Sequence, residues 1–193
     1  MKTRTSALRI VGIGGTSRPA STSELALKAA LLNAEKQGAQ TLVFDGAFVS
    51  SLPLYNPQDS GRNEQQRQFI EAIRGCDGII VATPGYHGSI SGPIKNALDL
   101  IEDTARDAHR PYLDGRAFGC IVTAHGWQAS TTALVSLRMV AHALRAWPTP
   151  YGASLNTAMP LFGSDGAPAE EQTLRQLHTV AKQVVDFANW CDG

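Results

Sequence analysis

Short apolar runs alternate along this chain with longer stretches of helical spacing. Residues 8–13, Leu-Arg-Ile-Val-Gly-Ile, predict a first strand that ends in Gly14-Gly15. Leu25, Ala26, Ala29, Ala30, Leu32 and Ala34 then recur at helical spacing, with Gly38 as the predicted C-cap. Residues 41–44 predict a second strand ending at Asp45, followed by a long proline-bearing loop through residues 52–57. A polar-faced helix is expected over residues 64–74, with Phe69, Ile70 and Ile73 as its apolar stripe. Residues 78–83 are almost wholly apolar, as a strand buried on both faces requires. Further helices are expected over 91–102, 131–145 and 168–190, and further strands over 117–123 and about 148–154. Pro93 is tolerated in a first helical turn, whereas Pro148 and Pro150 shorten the last strand.

Five strands separated by helices imply βαβ crossovers and a parallel sheet. Right-handed crossovers place helices on both faces, giving an α/β fold of three layers, α/β/α. The count fits a five-stranded doubly wound sheet of order 2-1-3-4-5, one domain over residues 1–193. In such sheets ligands sit beyond the carboxyl ends of the strands, at the switch point. The loops after strands one, three and four are therefore the ones to read for chemistry.

Composition removes several classes of function. Lys+Arg and Asp+Glu both number 17, so no basic excess points to nucleic acid or to a membrane surface. The apolar stretch after the first residues is broken by Arg9 and Gly12, too short for a leader, and no run approaches a membrane span. A cytoplasmic protein is the expectation. Three cysteines, Cys76, Cys120 and Cys191, give no disulfide framework and no Cys-x-x-Cys pair. Cys76 and Cys120 read as small buried hydrophobes.

The first loop runs Gly14-Gly15-Thr16-Ser17-Arg18-Pro19-Ala20-Ser21-Thr22-Ser23 directly into a helix. A phosphate needs backbone N–H groups, hydroxyl donors and positive charge at a helix N-terminus, and this segment supplies all three. Ser21 or Ser23 also suits a plain N-cap, but capping needs one hydroxyl and not five. Ser17 stands where a G-x-G-x-x-G fingerprint needs its third glycine, and no Gly-Lys-Ser/Thr follows for a nucleoside triphosphate.

After the third strand the chain reads Pro84-Gly85-Tyr86-His87-Gly88-Ser89, then Gly92 and Lys95-Asn96-Ala97-Leu98-Asp99. Gly85 and Gly88 allow backbone to approach a flat ligand, and Tyr86 and His87 offer rings to pack against it. Tyr86 as a surface aromatic and His87 as an ordinary loop residue are the plainer alternatives. After the fourth strand come His125-Gly126-Trp127 and Ser130, the last a possible helix cap. His87 and His125 should share one sheet edge, but two histidines make a poor metal site, so no metal is expected.

These loops resemble those of the NAD(P)H-dependent FMN reductases, the flavodoxin-like group with chromate, azo-dye and quinone reductases among its members. The phosphate loop is similar in Gly15-Thr16-x-Arg18-x-x-Ser21-x-Ser23 and the ring loop in Pro84-x-Tyr86-x-Gly88-Ser89. The resemblance implies FMN as cofactor, with Thr16, Arg18, Ser21 and Ser23 at its phosphate; the Thr22 hydroxyl, a donor in the same loop, is a further candidate there. Pro84, Gly85, Tyr86, His87, Gly88 and Ser89 would line the ring, and Gly126 fits a glycine-rich turn that borders it; His125 is a bulkier candidate beside that turn. Many members carry Asn at the Ser23 position, Glu at Gly85 and Asn at His87. The resemblance further implies NAD(P)H as co-substrate, a small-molecule acceptor, and a homodimer or homotetramer. The 52–57 loop and the 91–102 helix are the candidate subunit contacts. A flavodoxin-type electron carrier and a non-enzymatic flavin-binding module are the rival readings. Because flavins carry hydride chemistry themselves, no catalytic acid–base side chain is assigned.

Overall fold

In the computed structural model, which describes residues 6–191, the apolar runs lie side by side in one sheet. Strand β1 (Arg9–Gly14) pairs in parallel with β2 (Gln40–Phe44) on one side and β3 (Gly78–Tyr86) on the other. Next to β3 runs β5 (Ala117–Ala124), again parallel. The far edge is made by two short strands, β6 (Trp147–Pro148) and β7 (Ala153–Asn156), both parallel to β5. A two-residue strand, β4 (Ser89–Ile90), folds back antiparallel on the tip of β3.

The sheet thus has seven strands where the sequence pattern suggests five. The class and the winding are the same. The prolines at 148 and 150 split the last strand into two pieces, since a proline has no N–H for the ladder. The extra strand β4 belongs to a two-residue turn at the end of β3. The predicted first residues lie outside the described chain.

Helix α1 (Thr22–Glu35) and the terminal α6 (Glu171–Cys191) cover one face of the sheet. On the other face pack the short α2 (Gly46–Ser51), α3 (Glu64–Gly75), α4 (Gly92–Asp99) and α5 (Trp127–Ala143). Successive strand residues feed opposite cores: Ile79 and Val81 face the second group, Ile80 and Ala82 the first. This is why the strands read as unbroken apolar runs. At Gly78 and Gly119 an added Cβ would fall 2.8 Å from the Val184 and Val180 side chains, so α6 sits directly on the strand backbones.

Several boundaries differ from the sequence pattern. Helix α2 occupies the start of the segment expected to be loop, capped by the Asp45 carboxylate, which accepts from the Phe48 N–H at 2.9 Å. Helix α5 starts at Trp127, so Ser130 is not its cap. Ser130 lies inside the first turn, where its hydroxyl donates to the Trp127 carbonyl and is joined by that of Ser154 at 2.8 Å. Helix α4 gives way to a 3₁₀ turn over Leu100–Thr104. Its apolar residues Ile94, Ala97 and Leu98 are buried in the chain's own core. Asn96 on that helix holds the 52–57 loop, accepting from the Tyr55 N–H at 2.7 Å and donating to the Pro53 carbonyl at 3.0 Å.

Cys76 and Cys120 are buried, and burial pushes their thiols up to about 11 and about 12. Cys191 is exposed. No helix among the described residues is long and apolar enough to cross a membrane.

The end of the sheet opposite the strand tips is fastened by Arg116, only 2 % exposed. Its guanidinium donates to the carbonyls of Cys76 (2.9 Å), Tyr112 (2.9 Å), Arg74 (2.8 Å) and Arg110 (3.4 Å). It ties the ends of α3 and of the loop before β5 to the start of the sheet. Removing the charged donor leaves buried carbonyls unsatisfied. We expect Arg116→Met to lower stability by about 3 kcal/mol, at the strong end for hydrogen bonds to a charged group. Urea unfolding measures it, and ligand affinity of the folded variant should stay unchanged, because the strand tips lie at the other end.

Candidate functional site

Between β1 and β3 the winding reverses. From β1 the chain crosses to β2 at one edge, whereas from β3 it crosses towards β5 at the other. The loops leaving the two strands therefore diverge and open a crevice. It measures about 770 Å³ and collects residues from four separate segments.

One wall is the loop after β1. Gly15 adopts φ +104°, a conformation that L side chains rarely take, and its N–H donates to the Ala82 carbonyl of β3 at 3.3 Å. The Thr16 hydroxyl then accepts from the Arg18 N–H at 3.1 Å, a local turn that folds the loop over the helix start. Ser21 is the N-cap of α1, its oxygen 3.3 Å from the Glu24 N–H, and it is also joined to the Ser23 hydroxyl at 3.3 Å. Capping and ligand contact are thus not exclusive here. Thr16, Ser21 and Ser23 are engaged within the loop. The Ser17 and Thr22 hydroxyls and the Arg18 guanidinium have no side-chain partner among the described residues, and all three line the crevice.

The opposite wall is made by the strand tips. Pro84, Gly85 and Tyr86 of β3 and the following His87 line it, with Thr123 and Ala124 of β5, then His125 and Ala129. Tyr86 pairs with Ser89 across a two-residue turn in which His87 has φ +52° and Gly88 φ +81°. Positive φ at both central residues is the hairpin turn that matches strand twist. Gly88 is thus required by the turn. Gly85 is required by packing: a Cβ there would lie 3.1 Å from the Ala124 Cβ and 3.2 Å from the Ala129 carbonyl and the Ala133 Cβ. Tyr86 is 54 % exposed above the opening.

Of the residues singled out from sequence, the crevice brings together Thr16, Arg18, Ser21, Thr22, Ser23, Pro84, Gly85, Tyr86, His87 and His125. Gly88, Ser89 and Gly126 are outside its lining. Ser89 instead bonds the Ser136 hydroxyl on α5 at 3.1 Å, and Gly126, at φ +107°, leads into the first turn of α5. Ser17, Thr123, Ala124, Ala129 and Thr157 are lining residues that the motif reading did not assign. Thr157 arrives because its N–H donates to the Ala124 carbonyl at 2.9 Å, continuing the β7 register beyond the strand. The preceding Asn156 carboxamide accepts from both the Gly126 and Ala158 N–H groups, at 2.9 and 3.0 Å, which fastens the His125 loop to the Thr157 turn. Nothing in the spacing of a single chain reveals that long-range link.

Electrostatically the crevice is one-sided. No carboxylate lines it, and Arg18 is its one formal charge. Glu24, in the first turn of α1, is turned away to Lys28 at 2.6 Å. A positive helix terminus, unpartnered hydroxyls and a lone guanidinium suit a phosphate with a neutral body. The donor set fits a mononucleotide whose phosphate meets α1 and whose planar ring reaches the strand tips. Among the described residues no group of three His, Cys, Asp or Glu is placed to hold a metal ion.

The loop depends on a glycine outside it. A Cβ on Gly46, the first residue of α2, would run into the backbone of Thr16. We expect Gly46→Ala to displace the Thr16 turn, costing about 1–3 kcal/mol in stability as overpacking does. It should also weaken binding of a phosphorylated ligand more than of its dephosphorylated form, as read by paired titrations.

Comparison with known proteins agrees with this geometry. The family model described as NADPH-dependent FMN reductase matches residues 8–159, which include every segment of the crevice. A probable NADPH:quinone oxidoreductase 2 of Oryza sativa subsp. japonica is 30% identical over 137 residues, 69% of this chain and 64% of that protein. An NADPH azoreductase of Bacillus sp. (strain OY1-2) is 34% identical over 64 residues, 33% of this chain and 35% of that protein. The matched stretches thus span less than two thirds of these relatives. Among solved structures, FerB, a flavoenzyme NAD(P)H:(acceptor) oxidoreductase from Paracoccus denitrificans, superposes with a TM-score of 0.76 at 21% identity, covering 96% of this chain and 98% of that one. That likeness establishes the shared fold.

Proposed function

The chain belongs to the NADPH-dependent FMN reductase family, and from that premise we propose that it is an NAD(P)H-dependent oxidoreductase acting through FMN on a small-molecule acceptor. The observation that carries this reading is the convergence, in one carboxylate-free crevice, of unpartnered phosphate donors and two apolar strand tips. FMN held there would supply the redox chemistry between the nicotinamide nucleotide and the acceptor.

The protein's own part is binding, orientation and access. Arg18, Ser17, Thr22 and the N-terminal N–H groups of α1 hold the phosphate. Thr16 keeps the loop in shape by accepting from the Arg18 N–H, and Ser21 by accepting from the Glu24 N–H and bonding the Ser23 hydroxyl. Pro84, Gly85, Tyr86 and His87 form one side of the ring site, and His125 the other. Gly88, Ser89 and Gly126 act one step back, by setting the hairpin and the start of α5. No side chain is assigned as proton donor. Donor and acceptor use the same opening in turn, beneath Tyr86, so the reaction runs by a ping-pong scheme. Quinones, azo compounds, free flavins and metal oxyanions are the acceptor classes to test.

The whole chain works as one FMN-binding domain, in the cytoplasm, as a homodimer or homotetramer. The apolar residues left outside favour such contacts. Leu54 in the 52–57 loop is 85 % exposed, and Val135 and Met139 lie one turn apart on the outer face of α5.

Reductive titration tests the proposal. Purified protein loaded with FMN should lose its yellow colour on adding NADPH or NADH without oxygen, and regain it with a quinone. A flavin that stays oxidised would leave only an electron carrier or a binding module. Arg18→Ala should weaken FMN by about 1.5 kcal/mol, roughly tenfold, the low end for a charged hydrogen bond because the guanidinium is exposed. Riboflavin affinity should not change.

A further inference from the structure

The strand tips carry more polar chemistry than a neutral flavin ring needs. The β3–β5 ladder ends at Pro84 and Thr123, and the β5–β7 ladder at Ala124 and Asn156. Both registers run on past those pairs. An added Cβ on Gly85 would meet the Ala124 Cβ at 3.1 Å, and the Thr157 N–H donates to the Ala124 carbonyl at 2.9 Å. The next row across the tips is therefore Tyr86, His125 and Thr157, with His87 following Tyr86 in the turn. All four line the crevice. The backbone beside His125 is fixed, since the Gly126 N–H donates to the Asn156 carboxamide at 2.9 Å.

Each of these four side chains can donate a hydrogen bond. Among the described residues none of them has a side-chain partner. The titratable or charged groups lining the crevice are Arg18 from the loop after β1, Tyr86 and His87 from the tip of β3, and His125 from the tip of β5. Helix α1, helix α5 and the turn after β7 contribute none to the lining. Arg18 stands among the phosphate hydroxyls, whereas the two imidazoles stand on the opposite wall. Histidine takes on positive charge as pH falls from 8 to 5. No carboxylate of the lining is there to offset that charge.

We infer that this wall recognises an anion on the electron acceptor, and that the preferred acceptor is a flat aromatic bearing a carboxylate or sulfonate. The inference rests on the proposed FMN site and names the acceptor class that the site serves. Tyr86, 54 % exposed at the rim, offers a ring face to the aromatic body. His87, His125 and Thr157 offer donors to the anionic oxygens. Both imidazoles are exposed, so their attraction is modest and weakens with salt.

The experiment uses FMN-loaded protein and two aromatics of nearly equal shape that a flavin does not reduce, naphthalene-2-sulfonate and the neutral naphthalene-2-sulfonamide. Calorimetric titration at low salt and saturating FMN reads both affinities at pH 6 and pH 8. The proteins are wild type, His87→Gln, His125→Gln, the double variant and Arg18→Ala. Wild type should favour the sulfonate about tenfold at pH 6, about threefold from each imidazole, and by less than about twofold at pH 8. Each single histidine variant should lose about threefold in sulfonate affinity at pH 6, with the sulfonamide held within about twofold. The double variant should show no preference, and Arg18→Ala should keep it. Equal affinities for the two probes in wild type at pH 6 would overturn the inference. So would a preference that survives the double variant or disappears in Arg18→Ala. Each of these results leaves FMN binding and its bleaching by NADPH untouched. Failure of wild type to take up FMN removes the crevice reading and this inference together.

Discussion

The functional reading depends on one electrostatic arrangement, the open N-terminus of α1 facing the switch point of the sheet. The first N–H groups of a helix have no partners within it, and the macrodipole adds partial positive charge there. Ser21 satisfies the Glu24 N–H. What remains is aimed at a crevice whose lining holds no carboxylate, with Glu24 turned away to Lys28. The loop that exposes the helix end is held by a close fit at Gly15 and Gly46, where backbone meets backbone. In the proposed site, anion affinity and local packing are therefore one problem, and an alteration in α2 would be felt at the phosphate through Thr16.

How much of this is visible in the chain itself follows from the range of each interaction. The strand β3 and the loop after β1 are legible because their signals are local: an unbroken apolar run, and five hydroxyls with one arginine before a helix. The winding was also legible, since alternating strands and helices admit few topologies. Only part of the role of Gly85 was legible. Its sequence neighbours suggest approach to a ligand, and the structure adds a second need, since its missing side chain makes room for Ala124 and α5. Thr157 and Asn156 were invisible for a related reason. They come to the crevice through pairing with β5 and a bond to Gly126, contacts about thirty residues away in sequence. Ser130 misled as a cap because capping residues and buried helical serines look alike until the helix start is known.

The hairpin at the tip of β3 shows how a local rule shapes a site. A turn with positive φ at both central positions favours glycine, and asparagine or histidine tolerate it better than branched residues do. His87 and Gly88 occupy those two places. The turn sends Tyr86 to the rim and fixes Ser89 against Ser136 of α5. The proposed ring wall is thus carried by backbone hydrogen bonding and helix packing together. Changes at His87 can alter the chemistry of the wall without moving the strand beneath it, provided the turn conformation is kept.

Stability and chemistry are assigned to opposite ends of the same sheet. At the starting ends of the strands, Arg116 gathers four carbonyls in the interior, an arrangement that is satisfied and closed. At the finishing ends, the Ser17 and Thr22 hydroxyls and the Arg18 guanidinium are without a partner among the described residues, around an open crevice. Polar groups without protein partners are tolerated there because water or a ligand reaches them, whereas the same groups at the other end would cost about 1–3 kcal/mol each. The parallel sheet makes this division possible, since all strand starts lie on one side and all tips on the other. Ligand preference can then change at the tips, through the rim aromatics and the turn after β7, while the end that secures the fold is left as it is.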